Sequence, residues 1–187
     1  MLNNETLKTI KRRRSIRSYR QEQIPVEALN AVTEAGLYAP YGVEQNIHFT
    51  VIQNRVLLEK LNTAAKEVAG QTEIEHIKRL GNDPGFNCLY NAPVLIIVSA
   101  KKNSVCPEMN SAAASENMLL AAESIGLGSC WIYFVLQAFD GDQKNMLLKE
   151  LKIPEGYAPY TAIVLGYKQD EKTSIPKREK GLVTLIG

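Results

Sequence analysis

The sequence predicts a layered α/β or α+β domain, and three features carry that expectation. Segments with helical periodicity alternate with short β-branched runs along the whole chain, which is the pattern of helices packed on a sheet. No repeat, low-complexity stretch or linker interrupts the alternation. The 187 residues are enough for one domain with a substantial core. Residues 1–187 are therefore expected to form a single domain.

Each element has a local reason. Residues 4–12 read as a short helix leading into a run of arginines. Pro25 opens a second helix, where its missing N–H costs nothing. Val26, Leu29, Val32 and Gly36 share one face of that helix, and Pro40 stops it. "HFTVIQN" (48–54) reads as a strand and 56–68 as a helix; 70–88 is polar, with a candidate helix over 72–80. "APVLIIVSA" (92–100) is continuously apolar, as expected of a strand buried on both faces. "SAAASENMLLAAESIGLGS" (111–129) predicts a helix that is apolar almost all round. Only Glu116, Asn117, Glu123 and Ser124 make a narrow polar strip, so a central position is expected. Gly126 suits its left-handed C-terminal cap. "SCWIYFV" (129–135) reads as buried extended chain, 141–151 as a helix ended by Pro154, and "YTAIVLGY" (160–167) as the last core strand.

Composition narrows the function. The chain is 45% hydrophobic and 22% charged, as globular proteins are and disordered ones are not. A net charge of +2 is too mild for nucleic acid as the main partner. Cys88, Cys106 and Cys130 form no CxxC pair, and with two histidines a zinc site is not expected. There is no apolar signal segment and no run of membrane-spanning length, so the expected location is a reducing cytoplasm.

Against that mild total, six of the ten residues from Lys11 to Arg20 are cationic. Three uses fit: a nucleic-acid arm, a solvated helix end, or the pocket of one phosphorylated ligand. Arginine's planar fork matches a phosphate, and a serine hydroxyl adds a hydrogen bond. In the last reading Arg13, Arg14 and Arg17 surround the phosphate with Ser15. A second basic group, "PKREK" (176–180), is either a surface loop or a partner of the same phosphate. "GLGSCWIY" (126–133) is either a packed connection or the lining of a flat ligand. Trp131 by itself suggests core, and Cys130 a small buried hydrophobe rather than a nucleophile. "APYGVEQNIHF" (39–49) is either an ordinary loop or a source of amide hydrogen bonds to a heterocycle.

Taken in order, "RRRSIRSY", "EALNAVTEAGLYAP", "NAPVLIIV", "NMLLAAESIGLGSCWI", "YAPYTAIVLGYK" and the basic tail resemble the nitroreductase family of FMN-dependent oxidoreductases over nearly the full length. The resemblance implies an α+β fold with a central, mostly antiparallel sheet flanked by helices, in an intertwined homodimer. It implies FMN as cofactor and NADH or NADPH as electron donor. By the family motif, Arg13, Arg14, Ser15 and Arg17 hold the FMN phosphate and ribityl chain. Arg178 shares the phosphate, with Lys177 as the alternative, and Cys130, Trp131, Ile132 and Tyr133 run beside the flavin's reactive edge. The first loop departs from the family's Pro-Ser-x-x-Asn-x-Gln-Pro-Trp. It reads "PYGVEQNIHF" and lacks the serine, the second proline and the tryptophan, and Gln45 is its residue assigned to flavin.

The implied activity is a ping-pong cycle. NAD(P)H reduces the flavin and leaves, and a nitroaromatic, quinone or similar small acceptor is then reduced. No catalytic side chain, metal, membrane or nucleic acid is expected. Two alternatives stand beside it. The altered loop fits a member that runs another flavin reaction or senses FMN. A basic-armed nucleic-acid binder would need interleaved aromatics, and only Tyr19 is present.

Overall fold

A computed structural model describes residues 3–170, 174 and 176–187. In chain order the elements are α1 (Glu5–Arg12), α2 (Val26–Leu37), β1 (Ile47–Ile52), α3 (Arg55–Ala69), α4 (Glu75–Asn82), β2 (Val94–Lys101), α5 (Pro107–Ser124), β3 (Gly128–Ile132), a 3-10 helix (Phe134–Phe139), α6 (Lys144–Glu150) and β4 (Tyr157–Gly166). Helices α1 and α3 start where the sequence supplies side-chain caps: Asn4 Oδ1 accepts from Leu7 N at 2.9 Å, and Asn54 Oδ1 from Leu57 N at 3.1 Å. Pro107 opens α5 at its first turn, four residues before the predicted start.

The four strands make one sheet in the order β1-β2-β4-β3, with every pair antiparallel. Successive side chains of a strand point to opposite faces, and here both faces are covered. Leu95 and Ile97 of β2, with Ala162 and Val164 of β4, pack toward Leu58, Leu61 and Ala65 of α3 and toward Val135, Phe139 and Leu147. Val94, Ile96 and Val98 of β2, with Ile163 and Leu165 of β4, pack toward Leu29 and Val32 of α2 and Met118, Leu119 and Ala122 of α5. That is why β2 is apolar at every position from Val94 to Val98. Burial of one such side chain contributes about 1.5–3 kcal/mol.

Three expectations change. Val26 is exposed, since it begins α2 before the helix reaches the core. The strand read over 129–135 stops at Ile132. The continuation "FVLQAF" coils into the 3-10 helix, which buries Val135, Leu136, Ala138 and Phe139 at helical spacing. Helix α5 lies in the layer over one sheet face rather than wholly enclosed; Ala112, Ala113, Leu120 and Ala121 stay half-exposed in a single chain. Its left-handed cap at Gly126 forms as expected, with φ 82°. Residues 176–187 form no helix or strand, and Leu182, Val183, Leu185 and Ile186 are exposed.

Two predictions follow from this packing. A Cβ on Gly81 of α4 would lie 2.8 Å from backbone atoms of Ala69 and Gly70, which cannot retract as a side chain can. Gly81→Ala should therefore destabilise the protein by about 1–3 kcal/mol, although alanine is ordinarily the better helix former. A raised denaturation midpoint for this variant would show that α3 and α4 do not approach so closely. Cys88 and Cys130 are buried while Cys106 is exposed. Burial pushes the Cys88 thiol up to about 12, and the thiolate is the reactive form. Iodoacetamide at mild alkaline pH should label Cys106 alone, as read by mass spectrometry.

Candidate functional site

Beyond Arg13 the chain stays extended and is stitched to the sheet. Ser15 bridges Ser129 in parallel, and Ile16 N donates to Ser129 O at 2.9 Å. Tyr19 bridges Lys168, Arg20 N donates to Tyr167 O at 3.0 Å, and Gln169 N to Ser18 O at 3.1 Å. Ile16 and Tyr19 anchor the segment in the core, and the Tyr19 hydroxyl donates to Ile16 O at 2.5 Å. The close fit needs Gly166 in β4, where a Cβ would come within 2.7 Å of the Tyr19 ring. With the apolar residues turned inward, the cations and serines of "RRRSIRSYR" remain at the rim.

The stitching gathers part of the predicted set. The bridge to Ser129 sets Ser15 next to Cys130, with Arg13 and Arg17 on the same extended segment. Burial pushes that thiol up, and the two cations and the Ser15 hydrogen bond partly oppose it. The Arg17 guanidinium lies 5.7 Å from the centre of the Tyr90 ring. Side-chain hydrogen bonding with Tyr90, then the field of Cys130, holds it charged above the usual arginine value. Arg17 has no carboxylate partner among the described residues. Arg13 Nε approaches Glu116 Oε1 of α5 only to 3.5 Å, and half-exposed pairs of that kind contribute little. Arg14 is turned back on the chain. Its Nη1 donates to Lys11 O and Arg13 O at 2.7 and 2.6 Å, closing the end of α1, and its buried Nε has no partner among the described residues.

Beside this group runs β3. Cys130 and Ile132 are buried under the α3 layer, while Trp131 and Tyr133 are 38% and 67% exposed. Trp131, which alone suggested core, thus lies on an edge strand and is open to a ligand. Two predicted residues are not brought in within one chain. Gln45 precedes β1, at the edge of the sheet opposite β3, and its amide donates to Leu37 O at 2.6 Å. Arg178 and Lys177 are exposed in the tail, with no hydrogen bond or ion pair among the described residues.

Sequence reasoning missed other residues. Tyr90 sits in a turn before β2 with φ 54°, and only its place next to Asn91 hints at a special turn. Glu123 belongs to the narrow polar strip of α5 by periodicity, yet it is only 5% exposed. It accepts from Arg12 Nε and Lys168 Nζ, both at 2.8 Å, which offsets the cost of burying a carboxylate. Arg12, Arg14, Arg20 and Lys168 line a cleft of about 550 Å³ around it. Among the described residues no cluster of three metal-ligating side chains occurs, and no helix is long and apolar enough to cross a membrane.

Known proteins match this frame. The Nitroreductase family model matches residues 10–167. A protein of Archaeoglobus fulgidus named as an NADH dehydrogenase/NAD(P)H nitroreductase is 35% identical over 175 residues, covering 90% of this chain and 88% of its own. A nitroreductase of Bacteroides fragilis, solved with bound FMN, superposes with a TM-score of 0.91 at 38% identity over 99% of this chain and 100% of its own. Another from Desulfitobacterium hafniense, also with bound FMN, gives 0.90 at 27% identity and covers both chains fully. With the family model spanning most of the chain and the antiparallel sheet, helical layers and basic edge segment in its pattern, the chain belongs to the nitroreductase family.

Proposed function

We propose that the chain binds FMN and works as an NAD(P)H-dependent oxidoreductase that reduces nitroaromatics, quinones or similar small acceptors in a ping-pong cycle, as a cytoplasmic homodimer. The observation that carries this reading is the juxtaposition of Arg13, Ser15 and Arg17 on a backbone pinned to the sheet, with Arg17 lacking a carboxylate among the described residues. The donor set fits the group: two guanidinium forks and a hydroxyl suit a phosphate dianion. The FMN in the two solved relatives supports the choice of ligand, and the nicotinamide nucleotide in the A. fulgidus relative's name supports the donor.

In this reading Arg13, Ser15 and Arg17 hold the phosphate and ribityl chain, and Arg14 keeps the end of α1 closed beside them. Residues Cys130 to Tyr133 lie along the ring. Bound FMN would supply the redox chemistry, taking a hydride equivalent from NAD(P)H and delivering electrons to the acceptor. The protein's part is position, charge and exclusion of water. Cations at the rim favour a ligand that becomes more negative on reduction, and the exposed faces of Trp131 and Tyr133 offer apolar contact to a flat molecule. No side chain is assigned a proton transfer.

Gln45 and Arg178, which one chain leaves apart from the cluster, are assigned to the site through a second copy. The same copy would cover the half-exposed side of α5 and the bare apolar tail. The loop "PYGVEQNIHF" favours a second reading of narrower scope: the same flavin site with a different acceptor or reaction. Anaerobic reduction by NADH and by NADPH, followed by an acceptor panel, separates the two. Bleaching of a yellow protein with turnover of nitroaromatics or quinones supports the main reading, and bleaching without turnover supports the second. A colourless protein that takes up no FMN but retards DNA would sink both.

Two further outcomes are expected. Arg13→Ala or Arg17→Ala should weaken FMN binding at least tenfold, since charged hydrogen bonds contribute about 1.5–3 kcal/mol, whereas Arg20→Ala should change it little. Fluorescence titration of the apo-protein reads this, and equal losses at Arg13 and Arg20 would mean generic charge rather than a pocket. In sedimentation velocity the protein should run at about twice 20.8 kDa, and removal of residues 175–187 should release flavin and raise the concentration at which the dimer dissociates. A monomer that keeps FMN would refute the shared site.

A further inference from the structure

Tyr90 and Asn91 both have φ 54°, the left-handed region that residues with a side chain rarely adopt. Two in succession are unusual, and a glycine at either position would make the same turn without strain. Here the conformation is enforced. Asn87 Oδ1 accepts from Leu89 N at 2.9 Å and from Asn91 N at 3.4 Å, and Asn87 O accepts from Tyr90 N at 3.0 Å. Cys88 N donates across to Asn62 Oδ1 of α3 at 2.9 Å. The core takes Cys88 and Leu89 from this turn, while the Tyr90 ring stays half-buried with Arg17 across it. Strain held this firmly beside Arg17, which has no carboxylate partner among the described residues, points to a role at the site.

We infer that Tyr90 is the positioning residue of Arg17: the strained Asn87–Asn91 turn presents its ring so that the guanidinium is fixed toward the FMN site. The inference rests on the FMN reading above and adds a residue that reading does not use. An exposed arginine has many rotamers, and fixing one before the ligand arrives removes part of the cost of binding. The ring supplies a cation–π contact, with the guanidinium carbon 5.7 Å from its centre. The raised pKa of Arg17, with Tyr90 as its first cause, agrees with that pairing.

The test is a double-mutant cycle on apo-protein titrated with FMN. Tyr90→Gly removes the ring while relaxing the left-handed backbone, so folding is favoured; Tyr90→Leu serves as a second ring-free variant. Either should weaken FMN binding by about 2- to 5-fold, the range of a cation–π contact at an exposed site. In an Arg17→Ala background the same change should cost less than about twofold, because there is no guanidinium left to position. Tyr90→Phe, which keeps the ring, should recover most of the loss, and the apo-protein melting temperature should not track the affinity. Equal losses at Tyr90 with and without Arg17, or a failure of phenylalanine to rescue, would overturn the inference and leave the FMN site standing. If Arg17→Ala itself leaves FMN affinity unchanged, the phosphate assignment fails first, and the role of Tyr90 fails with it.

Discussion

The position of the candidate site depends on how the segment 15–20 is fastened. The Ile16 amide on the Ser129 carbonyl ties it to the start of β3, and the Tyr19–Lys168 bridge ties it to the chain leaving β4. Between those ties Ile16 and Tyr19 are buried, so the rest of the segment has no freedom to choose a face. A net contribution of about 1 kcal/mol per hydrogen bond is modest. The two buried side chains add more, and together they turn a basic run that would otherwise be a mobile arm into a rigid edge. That edge lies against β3, where Cys130 and Ile132 are buried while Trp131, and Tyr133 just beyond the strand, stay accessible. One set of backbone contacts thus places both the charged and the aromatic parts of the site.

The cations divide into two groups with different fates. Arg12 and Lys168 are consumed by the buried carboxylate of Glu123, a pairing that joins α1, α5 and the exit from β4. Arg14 is consumed by the carbonyls at the end of α1. Arg13 and Arg17 are left with an exposed carboxylate at 3.5 Å and an aromatic face. Charges concentrated at one place without compensation disfavour folding slightly, and a bound dianion reverses that penalty. This contrast is the observation behind reading the run as a candidate ligand site rather than a solvated helix end, the alternative the sequence left open.

Most of the architecture was legible because burial on two faces leaves an unmistakable pattern. The unbroken apolar run of β2, the small-residue face of α5 and the cap at Gly126 all follow from residues within one element. What could not be read required partners from far along the chain. Glu123 lies on a polar strip by local periodicity, and only Arg12 and Lys168, distant in sequence, make its burial tolerable. Tyr133 ends the strand early because the next residues find helical partners on α3, which no local propensity records. Trp131 looked like core because its type usually is, and only the strand order shows that β3 is an edge. For the candidate site, Arg13, Ser15 and Arg17 were singled out through the family motif. Gln45 and Arg178 were legible only as family positions, because one chain does not bring them to the others. Tyr90 carried no signal beyond a turn.

The crystal structure of the protein saturated with FMN is the most direct measurement of this assignment. The phosphate is expected within hydrogen-bonding distance of Arg13, Ser15 and Arg17, with Glu123 still paired to Arg12 and Lys168. A phosphate seated instead in the cleft of Arg12, Arg20 and Lys168, with the Glu123 pairs broken and Arg17 pointing to solvent, would contradict it.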